Sequence, residues 1–130
     1  MPALPWVQVG KPEGEATYLV MASRLPLQRY RRIPAFLRAT ARIRKQLATA
    51  DGLVGYSLDA KLLSKTFWTL SAWRDQEALD RFARSDPHRS LIAAIRPDMA
   101  PTTFVTWTTT GSGIPVKWGA AREHVSTEAE

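Results

Sequence analysis

The segment Thr66-Phe67-Trp68-Thr69-Leu70-Ser71-Ala72-Trp73, followed by Arg74-Asp75, decides the fold of this 130-residue chain. Its first eight residues are rich in aromatic and β-branched side chains and hold neither glycine nor proline, so they read as a strand. Asp75 then stands where an N-cap belongs, and Glu77 suits the positive end of the helix that follows. Leu79, Phe82 and Ala83 give that helix its inward face. Pro87 breaks or kinks it, and Ser85-Asp86 can cap a continuation through Ile95.

Upstream, Lys61 to Lys65 is a short connector to a second β-favouring run, Leu53 to Leu58, which predicts an antiparallel pair. Gly55 inside that run marks a bulge or a close approach to the backbone. Asp51-Gly52 stops a helix over Ala35 to Ala50. Phe36, Thr40, Ile43, Leu47 and Ala50 share one face of it, while Arg31, Arg38, Arg42 and Lys45, with Arg44 beside them, take the other. Before it, Thr17 to Arg24 runs without a breaker and reads as a strand covered on both faces. Downstream, Pro97 and Pro101 end the second helical stretch, and Thr102 to Thr110 is β-branched almost throughout.

The order is therefore β-α-β-β-α-β. This predicts an α+β, ferredoxin-like domain over residues 17–110, a four-stranded antiparallel sheet with the helices on one face. Residues 1–16 form an N-terminal arm that Trp6 and Val7 pin to the body. Residues 111–130 form a tail whose Ile114, Pro115, Val116 and Trp118 pack before a polar end at Ser126 to Glu130. Because the helices cover one face, the alternate residues of the aromatic strand leave a second face too apolar for water. A homodimer with two such sheets face to face is the expected solution, with a small-molecule pocket between sheet and helices in each protomer.

Composition narrows the function classes. The absence of cysteine removes disulfides, thiolate metal sites and a cysteine nucleophile, and suits a cytoplasmic protein. The first residues lack the basic and apolar regions of a secretion signal, and no apolar run reaches the ~18 residues of a membrane span, so no membrane role is expected. The net charge of +6 could serve an anionic partner. Nucleic-acid binding through Arg31, Arg38, Arg42, Arg44 and Lys45 is one reading, but the sheet lacks the aromatic signature of an RNA-recognition sheet and charged outer faces are ordinary.

His88 and His124 stand too far apart, and too free of paired motifs, for a protein-built metal site. No glycine-rich nucleotide motif or nucleophile elbow occurs; Ser112 sits in Gly111-Ser112-Gly113, a turn sequence. His88 precedes Leu91, Ile92 and Ile95 by three, four and seven residues, which turns it inward on a continued helix. Three roles stay open for it: a histidine satisfied in the core, an N-cap of the short helix after Pro87, or a ring bordering the pocket as haem ligand or proton-transfer group. Met21, Tyr56, Phe67, Trp68 and Trp73 are candidates for the wall of a hydrophobic pocket.

Phe67 to Asp75, then Ala78-Leu79, Phe82 and Ser85-Asp86-Pro87-His88, together resemble the antibiotic-biosynthesis-type monooxygenases, most closely the subgroup related to spheroidene monooxygenase. The likeness covers roughly residues 17 to 110. It implies a dimeric α+β barrel and a monooxygenase-like protein that acts on or binds a hydrophobic small molecule. It also implies haem as a candidate cofactor and His88 as the residue beside it. A non-catalytic, ligand-binding or stress-related barrel is the alternative the same resemblance allows. The chain departs from the family's cofactor-free and haem-degrading members in having no asparagine, and no tryptophan between Trp73 and Trp107.

Overall fold

The computed structural model describes residues 5–129. An antiparallel sheet runs through five strands: β1 (Val7–Gln8), β2 (Thr17–Pro26), β3 (Leu53–Lys61), β4 (Thr66–Trp73) and β5 (Thr103–Thr110), in the spatial order β1-β3-β4-β2-β5. The helices are α1 (Ile33–Leu47), α2 (Gln76–Arg84), α3 (His88–Ile95) and α4 (Trp118–Ala129). The ferredoxin-like α+β order is as expected, and β4 occupies the centre with the bounds its sequence predicts.

The count of four strands is corrected to five. The arm does not merely lean on the body: Val7 and Gln8 pair with Tyr56 and Gly55 at the β3 edge. A two-residue strand carries too little alternation to be read from sequence. Gly55 meets both expectations, lying beside the register shift of β3 and so close under the Trp6 indole that a Cβ there would overlap the ring.

Local signals explain most of the other boundaries. Asp75 Oδ1 accepts the Ala78 amide at 2.9 Å and so caps α2. Gly52 takes the left-handed conformation, φ +83°, that lets the chain leave α1 for β3. Asp86 Oδ1 accepts the Ser90 amide at 3.1 Å, satisfying a donor in the first turn of α3.

The two faces of the sheet are covered by different means. On one, α1, α2 and α3 pack over β2, β3 and β4 but leave β5 uncovered, so Phe104 is 60% exposed and Thr106 and Thr108 face solvent. The other face carries Tyr18, Val20, Ala22, Val54, Leu70 and Ala72, on which Ala121 and Val125 of α4 are fully buried. The apolar face from which a homodimer is expected is thus covered by the chain's own C-terminal helix. Trp118, Ala121, Arg122 and Val125 repeat at helical spacing, but only one alanine and one valine carry the apolar stripe beyond Trp118, too few to stand out beside the charged neighbours. Among the described residues no helix is long and apolar enough to cross a membrane.

Candidate functional site

The inward positions of β4 on the α1–α3 side are Phe67, Thr69, Ser71 and Trp73, with the period of two that any strand imposes. Their environments differ sharply along the strand. At one end Phe67 stacks on Phe36, with ring centroids 4.3 Å apart, in a cluster with Leu25, Leu27 and Ile95. At the other end Trp73 is buried with Leu47, Leu53, Tyr56 and Ala78. Between the two apolar clusters lies a polar strip of Ser23, Thr69 and Ser71.

This strip is internally satisfied. Ser23 and Thr69, cross-strand neighbours, share a hydrogen bond between their hydroxyls. Ser71 Oγ accepts the Trp73 indole N–H at 2.8 Å. Met21 of β2 and Tyr56 of β3 flank Ser71 in register on either side. Hydroxyls can be buried at little cost when they are hydrogen-bonded, whereas an apolar layer broken by them cannot close as tightly as one that interdigitates. The strip is thus a polar interruption in an otherwise apolar layer between helices and sheet.

His88 stands behind this layer. Its ring lies 5.0 Å from that of Phe82, which in turn lies 5.2 Å from Trp73, so an aromatic ladder connects the imidazole to the central strand. Gln46 of α1 holds the junction of α2 and α3: its Oε1 accepts the His88 amide at 2.9 Å. The His88 Nδ1 and the Ala83 carbonyl are 3.1 Å apart. Because a carbonyl can only accept, the proton of the neutral ring belongs on Nδ1, and the Nε2 lone pair is the free one. Burial pushes the His88 pKa below its ordinary 6.5, the Ala83 hydrogen bond opposing that shift. The imidazole is neutral at pH 7.

Of the sequence-predicted site residues, the fold brings Tyr56 and Trp73 into one cluster, sets Met21 beside Ser71, and puts Phe67 in the second cluster of the same face. Trp68 is different, because it points to the opposite face, where the Arg122 guanidinium lies 5.4 Å from its ring centroid. Alternation along a strand made Trp68 and Phe67 mutually exclusive on one face. Sequence reasoning did not single out Ser23, Thr69 or Ser71 as a polar strip. Their signal was two hydroxyl residues at inward positions of the most apolar strand.

Two small cavities open at the surface. One, of about 230 Å³, includes Gln46, Phe82, Ser85 and Asp86, and so abuts the groups that hold His88. The other, of about 250 Å³, is lined by Arg29, Arg31, Arg32, Gln28, Pro97 and Asp98. Neither reaches the ~300–1,000 Å³ of a preformed ligand pocket. Among the described residues, His88 lines neither cavity and offers a single ring nitrogen beside the Phe82 ring, which does not fit haem. Among the described residues, no three His, Asp or Glu side chains gather as a metal site.

The architecture defines a ferredoxin-like α+β protein with its candidate site between sheet and helices. Residues 32–94 match the family model described as antibiotic biosynthesis monooxygenase. The matched segment runs from the start of α1 to the end of α3, and so contains Tyr56, Phe67, Trp73 and His88. Solved structures agree in fold. A conserved protein from Methanosarcina mazei Go1 is similar with TM-score 0.63 at 14% identity, over 69% of this chain and 90% of that one. SnoaB, a cofactor-independent oxygenase from Streptomyces nogalater, is similar with TM-score 0.59 at 18% identity, over 75% and 97%. Rv0793 from Mycobacterium tuberculosis is similar with TM-score 0.60 at 17% identity, over 71% and 93%. A further neighbour, from Lactobacillus acidophilus, is longer, and this chain spans about half of it. No curated protein matches the chain.

Proposed function

We propose that this chain is a cytoplasmic, monooxygenase-like protein that takes a flat hydrophobic small molecule between its sheet and helices α1–α3. The single observation behind the reading is the polar break in the apolar layer, Ser23, Thr69 and Ser71, flanked by Met21, Tyr56 and Trp73. Aromatic and thioether walls suit a flat ring system, and hydroxyls suit its oxygen substituents. His88 is the candidate proton-transfer group, a neutral imidazole whose Nε2 can accept a proton while Nδ1–H stays bonded to Ala83, provided that the ligand extends past the Phe82 ring standing between it and Trp73.

The test uses 1-naphthol, a flat phenol with an ionisable oxygen. It should shift the Trp73 indole N–H signal in a two-dimensional NMR titration, more weakly in Ser71→Val, and should drive oxygen uptake that His88→Ala abolishes. Binding without uptake in the wild type would leave the non-catalytic ligand-binding reading in its place. No shift at Trp73 would refute the site. Haemin added to the same protein is expected to give no Soret band dependent on His88; such a band would reinstate haem as the cofactor.

A further inference from the structure

The connection between β3 and β4 ends in a tip unlike an ordinary water-facing turn. Leu63 stands there 94% exposed, the most exposed large hydrophobic side chain among the described residues, in a turn where polar residues are the rule. Tyr30, 57% exposed, lies beside it and donates its hydroxyl to the Leu63 carbonyl. Lys65 reaches over the Tyr30 ring, its Nζ 4.9 Å from the centroid. It does so from a left-handed backbone conformation, φ +55°, that favours glycine.

The rim of this tip is basic. Arg29 and Arg31 flank Tyr30 in the chain, both exposed, and line the cavity of about 250 Å³ together with Arg32. Arg32 is paired with Asp98 at 2.9 Å, whereas Arg29, Arg31 and Lys65 have no ion pair among the described residues. The same mixture continues one turn into α1, where Leu37 and Arg38 are both exposed. No Asp or Glu stands between Glu15 and Asp51, so neither α1 nor the turn before it carries an acid to offset this charge.

We propose that this end of the molecule docks on an anionic lipid bilayer, with Leu63 and Tyr30 entering the headgroup boundary and Arg29, Arg31 and Lys65 meeting the lipid phosphates. An apolar apex ringed by unpaired cations is complementary to such a surface. The leucine leaves water while long basic side chains keep their charges among the headgroups. Tyrosine suits the same boundary, having an apolar ring and a polar hydroxyl. Nucleic-acid phosphates would satisfy the arginines but leave the leucine in water. The expectation of no membrane role rested on the lack of a span, and a surface contact needs none. The inference stands apart from the proposed chemistry: failure of 1-naphthol to bind between sheet and helices would leave it intact.

The test is co-sedimentation of the full chain with vesicles of equal parts phosphatidylglycerol and phosphatidylcholine, beside vesicles of phosphatidylcholine alone and a duplex DNA oligonucleotide. The wild type should pellet with the anionic vesicles only, and added salt should release it. Leu63→Gln should weaken that binding roughly tenfold, the effect of keeping one leucine side chain out of the bilayer. Arg29→Gln combined with Arg31→Gln should weaken it roughly 25-fold, about fivefold for each charge near an anionic surface. Arg84→Gln combined with Lys117→Gln removes the same charge elsewhere on the surface and should change binding little. Leu63 is too exposed for its replacement to disturb folding, which far-UV circular dichroism verifies. No binding to the anionic vesicles, binding indifferent to Leu63→Gln, an equal loss in the Arg84 and Lys117 variant, or DNA bound in preference to vesicles would each overturn the proposal.

Discussion

The two faces of one sheet solve the problem of burying polar groups in opposite ways. On the α1–α3 face the apolar contacts lie at both ends of β4 and the polar groups, all uncharged hydroxyls, occupy the middle. On the α4 face the middle is mostly apolar, with Val20, Leu70 and Ala72 fully shielded, and the charged pair of Asp59 with Arg122 stands at one end. A hydroxyl is content with one neighbour and tolerates exchange of that neighbour for a ligand. A buried carboxylate must keep a cationic partner, or its burial becomes very costly. The first arrangement suits an exchangeable surface, the second a clasp that ties α4 to the sheet.

Truncations on the two faces of β4 should test this contrast most strongly. Trp73→Ala removes the largest fully buried side chain on the α1–α3 face and should cost about 3–5 kcal/mol in a denaturant melt. Leu70→Ala, at the centre of the α4 face with no exposed surface, should cost about 2–5 kcal/mol. Should Leu70→Ala be nearly silent, α4 is not packed on the sheet and the contrast fails.

Smaller effects sharpen it. Ser71→Ala strands the indole N–H of Trp73 and should cost about 1–3 kcal/mol, whereas Ser71→Ala combined with Trp73→Phe should recover part of that loss. Asp75→Ala removes the α2 cap and should cost about 1 kcal/mol without changing either face.

The smallest effect is a pH dependence confined to the α1–α3 side. Because burial lowers the folded-state pKa of His88, the unfolded chain takes up its proton first as pH falls. The stability this group contributes is present above pH 6.5 and declines as pH drops through 6.5 toward the lower folded value. Asp86 is also lowered from 3.8, chiefly by its hydrogen bond from Ser90, but titrates well below that window. His88→Phe should therefore flatten the stability profile between neutral and mildly acid pH, as read from melts at a series of pH values; an unchanged slope would mean the ring is solvated.

Much of this architecture was legible before any coordinates. An aromatic, β-favouring run without glycine or proline placed β4, Asp75 identified the start of α2, Gly52 the exit from α1, and the order of elements the ferredoxin-like sheet. Three features were not. β1 is two residues long, so no periodicity can announce it. α4 shows its sheet-facing stripe only through Ala121, Val125 and a charged Arg122, whose inward role depends on Asp59, 63 residues earlier. Trp68 and Phe67 looked alike as wall residues, and only the identity of what covers each face separates them.

What the sequence determined by itself is local: which residues alternate, where helices start and stop, and that an aromatic strand would need cover on both sides, since these follow from backbone geometry and the spacing of apolar side chains. What covers the second face, and which hydroxyls and charges meet there, was decided only by tertiary structure, because those pairings join strands and a helix far apart in the chain, and their energies exist only once the sheet has brought them together.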